Sequence, residues 1–137
     1  MKKSYKLASL LLTASVIFAS LFCWFAVGPR RFTSELWKES AHRDFSSSGH
    51  PRVRMADDIL NRRLLLGMSK AEVVATLGQP EVPGARTFEY RIGSYRRTTF
   101  LFTAAAKIAT LEITFDEHSL ASGLTLYDED GLIRTVK

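Results

Sequence analysis

From Leu7 to Val27 the chain reads LASLLLTASVIFASLFCWFAV, without one charged residue. As a helix this run would be about 31 Å long at ~1.5 Å per residue, matching a bilayer hydrocarbon core of ~30 Å. Lys2, Lys3 and Lys6 precede it, and Arg30 and Arg31 follow Pro29. The run predicts an uncleaved signal anchor over residues 1–28, with residues 7–27 as a single transmembrane helix. Secretion after signal cleavage is the alternative, but a signal's apolar region is only about 7–15 residues. Its best junction, Ala26-Val27-Gly28, would also leave Pro29 as the new N-terminus. Basic residues flank both sides, so the positive-inside count is nearly balanced. The short tail with three lysines has the form of an N-in anchor, which puts the remainder outside the cytoplasm.

That run also holds Cys23, the single cysteine of the 137-residue chain. The part beyond it therefore has no internal disulfide, zinc-cysteine cluster or cysteine nucleophile. Cys23 follows Ser20-Leu21-Phe22, which is not a lipid-attachment box. The whole chain carries +5, yet residues 29–137 hold 16 Lys/Arg against 14 Asp/Glu, or +2. Such a balance gives no reason to expect a nucleic-acid partner.

Residues 29–54 have the composition of a tether. FTSELWKESAHRDF (32–45) can form a short amphipathic helix, and SSSGHP (46–51) is turn chemistry. Trp37 and Phe45 would sit in the membrane interface or cover an edge of the following domain. That domain is predicted over residues 55–137. A helix begins near Met55, burying Met55, Ile59, Leu60 and Leu64, and ends at Gly67. A second helix starts at Ser69, with Glu72 completing a capping box, and runs from Lys70 to Leu77. Val73, Val74 and Leu77 face inward, Gly78 takes the left-handed terminal position, and Pro80 prevents continuation. TFEYRI (87–92) and TLEITFD (110–116) alternate apolar and polar residues with period two. FLF (100–102) extends the first hairpin, and LTLYDEDGLI (124–133) supplies a third strand with a turn at Asp130-Gly131. The predicted fold class is α+β: an N-terminal transmembrane helix, then a two-helix hairpin packed on one face of a three-stranded antiparallel sheet.

The segment GMSKAEVVATLGQP (67–80) resembles the signature of the SmpA/OmlA (BamE-like) family of small envelope proteins. The matching positions are Gly67, Met68, Ser69, Val73, Leu77, Gly78 and Pro80. Phe88 and Tyr90, then Leu111, Ile113 and Phe115, follow in the family's order, so the resemblance covers roughly residues 55–126. It implies a protein-binding module related to outer-membrane assembly factors, with envelope proteins such as β-barrel assembly components as partners. The missing lipid-attachment box departs from the lipoprotein members and moves the expected location to the inner membrane, with the domain in the periplasm.

The motif residues themselves have structural explanations. Gly67 and Gly78 serve backbone conformation, Ser69 and Glu72 capping, and Val73 and Leu77 the core. No catalytic, metal-binding or cofactor-binding residue is assigned. His42, His50 and His118 are isolated, and YDEDG (127–131) lacks the spacing of a calcium loop. The segment RIGSYRR (91–97) is the one candidate surface. Arg91, Tyr95, Arg96 and Arg97 are placed around a glycine turn, where arginine and tyrosine could grip an acidic partner or lipid phosphates. The function expected is a non-enzymatic, membrane-anchored protein-binding module, the alternative being an inhibitor or ligand sensor acting on a periplasmic enzyme.

Overall fold

The computed structural model describes residues 31–46, 49–95 and 107–137. The expected span over residues 7–27, Arg96, Arg97 and the FLF segment lie outside the described residues. Among the described residues no helix is long and apolar enough to cross a membrane. Helices α1 (Ser34–Glu39), α2 (Pro51–Arg62) and α3 (Lys70–Leu77) are followed by strands β1 (Val82–Pro83), β2 (Thr87–Tyr95), β3 (Lys107–Phe115), β4 (Ala121–Asp128) and β5 (Gly131–Val136). The strands form one five-stranded antiparallel sheet in the order β1-β2-β3-β4-β5.

This corrects the expected two-helix, three-stranded architecture. β1 pairs only Val82 with Glu89 and Pro83 with Phe88, so it is too short to show any period in sequence. The stretch expected as one strand over 124–133 is two, because the chain reverses at Glu129-Asp130 and Asp128 pairs with Gly131. The candidate loop RIGSYRR also differs. Residues 91–95 continue β2 across a bulge between Arg91 and Gly93, so the glycine bends a strand and does not open a turn.

Alternation along the strands fixes the two faces. Phe88, Tyr90, Ile92, Leu111, Ile113, Phe115, Leu124 and Leu126 are buried in one cluster with helix residues Met55, Ile59, Leu60, Val73 and Leu77. At about 1.5–3 kcal/mol for each large apolar side chain, this face dominates the stability of the domain. α2 stops before the expected Gly67. Arg63 adopts a left-handed conformation (φ 53°, ψ 36°), and the turn that follows carries Leu65 into the core. The capping box of α3 forms as expected. Glu72 N–H donates to Ser69 Oγ at 3.3 Å, and Ser69 N–H donates to Glu72 Oε2 at 2.8 Å.

Residues 67–69 do more than cap. Gly67 N–H donates to the Ala121 carbonyl, and Ala121 N–H to the Met68 carbonyl, both at 2.8 Å. The helix connection is thereby stitched to the start of β4.

Residues 31–46 pack onto the domain. Trp37 is fully buried, edge-on to Phe32 and Tyr90. Ser34 Oγ and Lys38 Nζ donate to the carbonyls of Thr76 and Ala75, and Phe32 N–H donates to Asp58 Oδ2. A six-residue helix has no stability of its own, so these contacts account for α1. Of the two positions open to Trp37, it occupies the one over the domain.

Candidate functional site: the open face of the sheet

Among the described residues no helix covers the second face of the sheet, and strand register lays its residues out in rows. One row runs Val82, Glu89, Glu112, Thr125, Thr135, and the next Arg91, Thr110, Tyr127, Leu132. Thr87 and Thr114 pair beyond the first row, and Ile108 lies beyond the second. Period-two alternation puts these residues on the open face once Phe88, Tyr90, Leu111 and Leu126 face the core, and register sets which of them stand opposite.

Two properties distinguish the face. First, Glu89 and Glu112 are directly opposed on β2 and β3, an arrangement that costs stability. No salt bridge neutralises either one among the described residues. Second, Val82, Ile108 and Leu132 are 50%, 42% and 63% exposed. They surround the polar centre with apolar surface. Beside Ile108 an open depression of about 330 Å³ is lined by Arg91, Ile108, Thr110, Tyr127, Asp128 and Glu129. Partial burial pushes the Tyr127 hydroxyl above the usual phenol range, and a hydrogen bond to Glu89 adds to the effect.

The strand carrying Arg91 and Glu89 is held from behind. Arg52, only 1% exposed, donates through Nη1 to the Arg91 carbonyl and to Glu81 Oε1, both at 2.9 Å, and through Nε to the Trp37 carbonyl at 3.1 Å. Its guanidinium carbon lies 4.8 Å from the centre of the Trp37 ring. Glu81 Oε2 accepts the Arg91 N–H at 3.2 Å. Burial lowers the Arg52 pKa, partly offset by the hydrogen bond to Glu81.

Of the four expected surface residues only Arg91 and Tyr95 are among the described residues, and these two lie on opposite faces of the sheet. Arg91 is exposed on the open face, whereas Tyr95, beyond the bulge, packs against the core cluster on the other side. Among the motif residues, Val73 and Leu77 are buried and Met68 is half-buried against the core. Gly78 has φ 85° and ψ −172°, a positive φ as expected but an extended ψ in place of the left-handed helical value. Its carbonyl accepts the Tyr90 hydroxyl at 3.0 Å. The opposed Glu89 and Glu112 were readable only as polar strand positions. Their pairing depends on register, which the sequence does not state. No family model matches the chain, nor does any curated protein or solved structure.

Proposed function

We propose that this chain is a non-enzymatic envelope protein, held at the membrane by residues 7–27, whose domain docks a partner protein on the open sheet face. The observation that carries the reading is the Glu89–Glu112 pair, which no salt bridge among the described residues neutralises, together with the exposed Val82, Ile108 and Leu132 on the same face. A partner segment presenting lysine or arginine between apolar side chains complements that pattern. It would relieve the like-charge opposition on binding. The resemblance of residues 67–80 to the SmpA/OmlA signature is the support for an envelope-assembly role, with assembly components as the proposed partners.

The test is site-specific crosslinking in intact cells. A photo-crosslinker at Thr125, on the open face, is compared with one at the exposed Gln79. The reading predicts one discrete adduct from Thr125 only, mapped by mass spectrometry to a basic segment of an envelope protein and lost when Glu89 and Glu112 are both changed to glutamine. Equal adducts from both positions, or an adduct indifferent to the two glutamates, would refute it. Capture of a single periplasmic enzyme whose activity the domain titrates would favour the inhibitor reading.

A further inference from the structure

His50 is 1% exposed and has both ring nitrogens committed. Nδ1 accepts the Arg52 N–H at 3.3 Å, so the ring serves as the N-cap of α2. Nε2 lies 3.1 Å from the Ser40 carbonyl and, with Nδ1 accepting, must donate to it. The imidazole stacks on Phe45, ring centres 4.7 Å apart. Behind it lies Gly93 at the β2 bulge, where an added Cβ would stand 2.5 Å from His50 Cβ. One neutral tautomer therefore joins three elements: the turn after α1, the start of α2 and the bulge of β2.

A second proton at Nδ1 would occupy the lone pair that accepts the Arg52 N–H. It would turn the cap acceptor into a donor aimed at another donor and place a cation at the positive end of the α2 dipole. The charged groups around the ring act in both directions. Arg52 on α2 and Arg43 after α1 oppose the imidazolium; the carbonyls of Ser40 and Ile92 favour it, and Asp44 lies close enough to interact with it. Burial is the largest influence and holds the ring below the ordinary histidine value of 6.5.

We infer that His50 is an acid-operated latch, which in its neutral form fastens the turn 40–46 and the first turn of α2 against β2, and on protonation releases them. The helix α1 stays, because buried Trp37 and the bonds to Thr76 and Ala75 hold it independently. The sign follows from linkage. A histidine whose folded pKa is depressed contributes its full stabilisation above about pH 6.5 and loses it as pH falls below that. A domain facing the periplasm meets such pH changes directly, but the latch itself does not depend on that location.

The experiment is NMR-detected hydrogen exchange of the full-length protein in detergent between pH 7.5 and 5.0, corrected for intrinsic exchange. The Arg43 and Arg52 amides should lose protection below pH 6.5 by up to about tenfold per pH unit. Tyr90 and Ile113 should keep theirs. In His50→Asn, which keeps a capping oxygen but does not titrate, the pH dependence should vanish. Should that variant fail to fold, a His42→Gln/His118→Gln protein leaves His50 alone and must retain the transition. Protection of Arg43 and Arg52 that does not change with pH, a transition surviving in His50→Asn or absent from the double variant, or simultaneous loss at Tyr90 and Ile113 would each overturn the latch.

Discussion

The Arg52 guanidinium meets the Glu81 carboxylate at 2.9 Å, with the arginine side chain 1% exposed and the glutamate 27% exposed. The pair is therefore asymmetric: one partner is dry and the other touches water. Removing Glu81 leaves a buried cation whose remaining partners are main-chain carbonyls, whereas removing Arg52 leaves a carboxylate that can hydrate. Breaking a fully buried pair costs about 3–5 kcal/mol, and the exposure of Glu81 puts this one at the lower end. Glu81→Ala should lower unfolding stability by about 3 kcal/mol, read as a shift in urea midpoint at unchanged slope. Arg52→Met should cost about as much for a different reason, because the Trp37 and Arg91 carbonyls each lose the guanidinium as a donor, Trp37 keeping the Ser40 hydroxyl. A near-neutral Glu81→Ala would mean that those carbonyls alone hold the guanidinium.

Gly93 combines two constraints. Its φ of 113° lies in a region costly for any side chain, and a Cβ would collide with His50 Cβ and Cγ at 2.5 and 2.8 Å. Gly93→Ala should destabilise the domain by more than about 2 kcal/mol. At Gly67, where an added Cβ meets nothing within 4 Å, the same change should cost only the backbone penalty, about 1 kcal/mol. Thermal unfolding of the two variants side by side checks the difference.

These two positions mark the limit of what the sequence discloses. Ser69 and Glu72 were legible because a capping box is local, spanning three residues with a fixed spacing. The core faces of β2 and β3 were legible because alternation needs no partner. β1 and β5 were not, since two residues have no period and the six residues from Gly131 onward do not alternate cleanly. Arg52 falls in the stretch read as a tether, ahead of the helix expected from Met55. Its burial depends on Trp37, Glu81 and Arg91, which lie 15, 29 and 39 residues away. The Glu89–Glu112 opposition is set by a register that includes a bulge. In each case the missing information is long-range pairing.

That opposition should be measurable without any partner. Glu112→Thr extends the row of threonines at Thr125 and Thr135 and removes a like charge facing Glu89. It should raise stability by about 0.2–1 kcal/mol at low ionic strength. The gain should shrink at 1 M salt, where the screening length falls to about 3 Å. The same variant should lose partner binding, so that stability and function move in opposite directions. A destabilised Glu112→Thr would show that the glutamate serves the fold.

Asp57 offers a pH dependence opposite in sign to that of His50. Partial burial on α2 raises its pKa above the usual aspartate value of 3.8, and attraction to Arg134 offsets only part of the effect. A carboxyl with a raised folded pKa is penalised while ionised, so it weakens the fold at neutral pH. The penalty is relieved as pH falls through the folded value. Asp57→Asn should therefore stabilise the protein at pH 7, because the amide has no charge to desolvate. The advantage should fade toward pH 3, where the wild-type carboxyl is protonated in both states. Urea unfolding of the two proteins at pH 7 and pH 3 tests this, with refolding checked at each pH. A wild-type protein more stable than Asp57→Asn at pH 7 would mean that the attraction to Arg134 outweighs the burial of the carboxylate.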